Sequence, residues 1–134
     1  MADLFSDAWM KKYMEEWNKE PELSEALAKI GFNSKIAYGI VGEDKPRGVL
    51  VVEEGKAASA HAYDDGEDVN WDLRASEENW TKWFEKGLGM ASLATAYAMG
   101  KLKFKTGDYS AMIKDPRMAG PFVKSFTVMG RVTV

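Results

Sequence analysis

The sequence predicts an α/β (α+β) domain: a mostly antiparallel five-stranded sheet with helices packed on one face. Three observations lead there. Short segments alternate apolar and polar residues with period two, as half-buried strands do. Other segments repeat large apolar residues every three or four positions, as amphipathic helices do. The strand-like segments fall mostly in the middle of the chain, with helix-like ones at both ends, and no repeat or linker divides the 134 residues.

Residues 6–18 read as a helix, with Ser6 or Asp7 as its cap and Trp9, Met10, Tyr13, Met14 and Trp17 on one stripe. Five large apolar groups must be covered, by this domain or by a partner. Pro21 starts a second helix, which turns Leu23, Leu27 and Ile30 inward and ends at Gly31. Ile36, Tyr38 and Ile40 then alternate as a strand, a turn follows at Glu43 to Arg47, and Val49 to Val52 is continuously apolar, as in a strand inside a sheet. Glu54-Gly55 makes a hairpin into Ala57 to Tyr63. There Ala58, Ala60 and Ala62 share a face that suits a closely docked helix ahead of a cavity wall.

The acidic stretch Asp64 to Asp68 reads as an exposed turn, because it lacks the ligand spacing of a calcium loop. Val69, Trp71 and Leu73 alternate as the next strand. Ser76 caps a helix carrying Trp80, Trp83 and Phe84 inward and ending at Gly87. Leu88 to Met99 contains no charged residue and is apolar nearly all round, which predicts a helix buried on several sides. From Lys101 to Thr106 three lysines alternate with Leu102 and Phe104 as a strand. Gly107 permits a reversal, Asp108 caps a helix from Tyr109, and Asp115-Pro116 starts a last helix whose Met118, Phe122, Phe126 and Met129 form a lid-like stripe.

Within this order of elements, Gly100-Lys101-Leu102-Lys103 through Gly107-Asp108, after an alanine-rich helix and before Ala111-Met112, resembles the sterol carrier protein 2 (SCP-2) family. The resemblance spans about residues 20–115 and is best from Trp71 to Met112. It implies a single 1–134 domain whose sheet and helices enclose an apolar tunnel for sterols, fatty acids or acyl-CoA. Residues 1–19 are then an N-terminal helical extension and 115–134 a C-terminal lid segment. The last three residues, Val132-Thr133-Val134, differ from the peroxisomal tripeptide of eukaryotic carriers.

Composition narrows the chemistry. Hydrophobic residues at 46% and charged ones at 29% are globular values. There is no cysteine and only one histidine, His61, so thiolate chemistry and a His-rich metal centre are excluded. The acids fall in turns and at helix starts, and no nucleophile–base pair or phosphate loop can be named. The expectation is a non-catalytic protein with no cofactor and no metal. The net charge of −3 disfavours nucleic acid. It divides into +5 over residues 101–134, where seven Lys/Arg meet two Asp, and −8 over the rest. A normally solvated surface is the first reading of that basic third; anionic head groups, in at most transient membrane contact, or a ligand carboxylate are the alternatives. No run is long and apolar enough to span a bilayer, and a cytoplasmic location is expected.

Five of the eight methionines follow residue 89, and methionine adapts to varied ligands. Taken alone, such stripes are core more often than ligand box. The SCP-2 resemblance reverses this and implies a hydrophobic ligand, expected between the Leu102/Phe104 strand face and helices bearing Trp83, Met90, Leu93 and Tyr97. Met112, Met118, Phe122 and Phe126 close the site. Two rivals stay open: a structural module pairing as a homodimer through the Trp9–Trp17 stripe, and an accessory component presenting a hydrophobic substrate to an enzyme.

Overall fold

The computed structural model describes residues 3–132. The two residues at each end of the expected domain, and with them most of the C-terminal tripeptide, lie outside the described residues. The elements run α1 (Asp7–Lys19), α2 (Pro21–Ala28), β1 (Ser34–Ile40), β2 (Gly48–Glu53), β3 (Lys56–Ala62), β4 (Trp71–Ala75), α3 (Glu77–Lys86), α4 (Met90–Ala98), β5 (Lys103–Thr106), α5 (Tyr109–Lys114) and α6 (Pro116–Met129). The sheet order is β3-β2-β1-β4-β5. Only β1 and β4 pair in parallel; the other neighbours are antiparallel.

Local chemistry sets the element ends. Ser6, Ser76, Asp108 and Asp115 each accept a backbone N–H at a helix start, and Pro21 and Pro116 open α2 and α6. Helix α2 stops at Ala28, three residues before Gly31, whose N–H still reaches the Ala28 carbonyl. Strand β5 starts at Lys103, not Lys101, because the amides of Lys101 and Leu102 are both spent on the Ala96 carbonyl at the end of α4. At the β2–β3 turn, Gly55 has φ +82° and lies against the backbone of α2; a Cβ there would overlap the amide nitrogen of Ala28.

Parallel pairing of β1 with β4 requires a crossover, and residues 63–70 supply it across the sheet face away from the helices. Asn70 pins it by exchanging hydrogen bonds with the Lys35 backbone at 2.8 and 2.9 Å. Its acidic stretch is exposed as expected except at Glu67, which is held by His61 and Lys35 at 2.9 Å each. On that same face Arg74, 2% exposed, clasps Asp72.

The opposite face carries the core. Helix α1 buries Trp9, Met10, Tyr13 and Trp17 there, against Phe5, Tyr38 and neighbouring aromatics. These four side chains of the stripe are thus covered by the chain itself, and Met14 is half-buried beside them. The alanine strand receives α1, the docked helix that its small residues favour. A bulge near Ala58 turns Ala57 and Ala60 inward in place of the 58/60/62 file expected from alternation. Asn18, Lys11 and Asp7 then hydrogen-bond the backbone of β3, which covers this sheet edge.

Helix α4 departs most from expectation. It buries only Leu93 and Ala96 and leaves Met90, Tyr97 and the following Met99 exposed. Being uncharged, it reads as a core helix; its alanines are small enough to sit in water at little cost, and among the described residues no element lies over its outer side.

Candidate ligand-binding site

Between the helix layer and the sheet lies a cavity of about 40 Å³. From the sheet, Ile36 and Tyr38 of β1 and Trp71 and Leu73 of β4 form its floor. The parallel register sets Ile36 opposite Trp71 and Tyr38 opposite Leu73. Trp17 of α1, Leu27 of α2 and Phe32 close one side, while Met112, Met118, Pro121, Phe122 and Ser125 of α5 and α6 close the other. Gly107 shapes the floor from behind: the Trp71 ring lies where its Cβ would be.

The lining is hydrocarbon almost throughout and includes no charged side chain. Three of its polar side chains are engaged. The Tyr38 hydroxyl pairs with that of Tyr13 at 3.1 Å, the Trp17 indole N–H donates to the Gly55 carbonyl at 2.9 Å, and the Ser125 hydroxyl donates to the Phe122 carbonyl. Burial pushes the ionisation of Tyr13 and of Tyr38 well above the ordinary tyrosine value, so both remain neutral. Among the described residues no buried side-chain polar atom lacks a partner. Such a lining offers an occupant dispersion contacts and release from water, and nothing for a carboxylate to pair with.

Volume decides what fits. At ~10–15 Å³ for each water-sized occupant, the cavity holds about three waters. A long acyl chain does not fit until the walls part. The half-buried side chains Phe32, Trp71, Met118 and Phe122 are the walls nearest the surface.

Of the residues the sequence marks, Met112, Met118 and Phe122 line the cavity. Phe126 backs it, 5.3 Å from Phe122 and 5.9 Å from Trp80. Phe104 stands 5.9 Å from Phe122 and 6.0 Å from Trp71, one ring behind the wall. Tyr97 stacks on Tyr109 at 3.8 Å, and Leu93 and Leu102 are core residues outside the lining. Trp83 packs on Trp80 and Phe126 and meets a shallow outer trough, and Met90 is on the surface. The structure therefore shifts the centre from β5 and α4 to the β1–β4 floor. Trp17, Leu27, Phe32, Ile36, Tyr38, Trp71, Leu73, Pro121 and Ser125 line the cavity without having been marked. Alternation had put Ile36 with Tyr38 and Trp71 with Leu73, but nothing local told that these two strands adjoin.

A second cluster of polar groups lies on the other sheet face. His61, Asp64 and Glu67 have ligand-type atoms within 4.8 Å of one another. Glu67 is already engaged by His61 and Lys35; burial raises its ionisation, but those two partners hold it below the usual range. The Lys35 ammonium opposes a second cation there.

The sequence matches no protein-family model, and no curated protein matches it. Solved structures do match. A crystal structure of sterol carrier protein 2 superposes with a TM-score of 0.75 at 20% identity, covering 98% of this chain and all of that one. A conserved hypothetical protein from Thermus thermophilus, named as a possible sterol carrier protein, gives 0.62 at 18% identity over 97% of this chain and 87% of its own. A UbiJ-SCP2 ubiquinone synthesis protein gives 0.52 at 13% identity over 87% of each chain. The chain has an SCP-2-like fold. The alignment with the sterol carrier protein 2 crystal structure spans 98% of this chain.

Proposed function

We propose that this protein binds, without catalysis, an apolar lipid-like molecule in the cavity between the β1–β4 floor and α5–α6, and carries it in the cytoplasm. Fatty acids, acyl-CoA and sterol- or hopanoid-like molecules are the candidate ligands. The observation that carries the reading is a charge-free, almost wholly hydrocarbon lining, in a fold shared with sterol carrier protein 2. The balance of energies favours a long ligand. Each buried methylene contributes ~0.8 kcal/mol, so sixteen contribute roughly 12 kcal/mol gross. Immobilisation costs ~4 kcal/mol or more, and separating the walls costs a further amount. A four-carbon ligand leaves no surplus.

The site proposed for the ligand includes Met112, Met118 and Phe122 with Trp17, Tyr38, Trp71 and Leu73. Phe104 and Phe126 support it from behind. Leu73→Phe fills the floor of the cavity and is the informative change. Binding of a fluorescent fatty acid, its displacement by a neutral sterol, and thermal stability are measured on the delipidated protein and this variant. Lost binding with a melting temperature near that of the parent supports the site. Unchanged binding by the variant, or no binding by either protein, overturns it.

A second reading, presentation of a hydrophobic substrate to a partner enzyme, draws on the similarity to the ubiquinone synthesis protein and on the uncovered apolar side of α4. Native mass spectrometry of the purified protein separates bound lipid from a stable complex with a second chain or copy.

A further inference from the structure

Helix α4 is nine residues without a charge, and it turns only Leu93 and Ala96 inward. Its outer ridge is Ala91, Ala94 and Ala98. Met90 at 45% exposure and Tyr97 at 40% flank that ridge, and Met99 at 64% follows it. These are three of the four large exposed apolar side chains among the described residues. Along the helix's other flank runs an open trough of about 580 Å³ whose lining includes Lys82, Lys86 and Lys101 and no acid. From Lys86 to Gly107 the chain contains four lysines and no Asp or Glu. None of those four lysines joins an ion pair among the described residues, where most other cations are paired.

We propose that α4 and its flanking Lys82, Lys86 and Lys101 are a docking surface for an anionic lipid bilayer. Met90, Tyr97 and Met99 enter the head-group layer, and the lysines meet lipid phosphates. Of these lysines Lys86 and Lys101 are unpaired among the described residues, while Lys82 lies 3.5 Å from Glu78 at the surface. An uncharged helical ridge beside such lysines is the composition of an interfacial helix. Tyrosine is at home at that depth, with its ring in the apolar zone and its hydroxyl in water. A second copy of the chain is the poorer occupant. A two-fold interface here would set the unpaired Lys86 and Lys101 against their own copies. The proposal rests on the lipid-binding reading, and it adds where cargo is exchanged. Tyr97 touches Phe104 at 5.8 Å, and Phe104 in turn touches the cavity residues Phe122 and Trp71.

The test is flotation of the full-length protein with vesicles of phosphatidylcholine plus phosphatidylglycerol, and with phosphatidylcholine alone. Binding is expected to the anionic vesicles, to weaken as salt is raised, and to fall about tenfold or more in Lys101→Glu and in Met99→Glu. Lys29→Glu makes the same change of net charge at an exposed lysine beyond the end of α2 and is expected to stay within about twofold of the parent. No preference for anionic vesicles, or equal effects of Lys101→Glu and Lys29→Glu, overturns the proposal. So does a dimer or a complex with another protein that Met99→Glu abolishes while vesicle binding persists. Fatty-acid binding in solution, measured on Met99→Glu, reports on the cavity separately, so a failure of docking is distinguishable from a failure of the ligand reading.

Discussion

Trp17 donates its indole N–H to the carbonyl of Gly55 at 2.9 Å while the rest of its ring forms a wall of the cavity. One side chain thus ties α1 to the β2–β3 hairpin and shapes the ligand space. Trp17→Ala is expected to destabilise the fold by about 3 kcal/mol, through lost packing and a larger void. Trp17→Phe keeps most of the ring and is expected to cost about 1 kcal/mol for the Gly55 carbonyl left unpaired. Urea unfolding of the two variants checks both values, and an unchanged midpoint in Trp17→Ala would show that the ring is dispensable.

The Tyr13–Tyr38 pair predicts alkaline instability. Burial raises the ionisation of both phenols in the folded state above the unfolded value of about 10. A raised folded value means that the native state holds its protons more tightly. The contribution is complete below about pH 10 and is lost as pH climbs above it. Unfolding midpoints measured from neutral to strongly alkaline pH are expected to fall beyond that point. In the double variant Tyr13→Phe/Tyr38→Phe the fall is expected to be smaller, because neither ring then titrates.

Arg74 donates to both carboxylate oxygens of Asp72, at 2.6 and 3.1 Å, and to the Glu43 carbonyl at 2.7 Å. Arg74→Met leaves the Asp72 carboxylate buried without its partner and is expected to cost about 3–5 kcal/mol. Adding Asp72→Leu removes the stranded charge and is expected to recover much of that loss. Chemical denaturation across this double-mutant cycle measures the coupling; additive losses would mean that the two groups act separately.

Among the described residues the cavity lining holds no carboxylate, and on the proposed carrier reading esters and thioesters of long acyl chains are expected to bind without turnover. Incubation of the protein with a fatty acyl thioester, followed by thiol release, checks this. Hydrolysis above the blank that disappears when one carboxylate is changed would replace the carrier reading with an enzymatic one.

The ends of most helices were legible residue by residue, because a cap is a bargain between neighbours. Ser6, Ser76, Asp108 and Asp115 each bond an amide two or three positions on, and the Glu54-Gly55 hairpin and the α1 stripe are equally local. What tertiary structure alone decided is which faces meet. The β1–β4 pairing joins Ile36 to Trp71 across thirty-five residues of chain, and no periodicity inside either strand encodes that choice. It moves the cavity away from β5, an edge strand whose alternation is clear but whose partners are few. Alternation and helical period report that a face is apolar; they do not report what covers it. For the outer side of α4 nothing among the described residues does; an uncharged, alanine-rich helix is compatible with both core and surface. The cavity's size was likewise settled only by packing, where opposed side chains from six elements close to within about three waters' volume of one another.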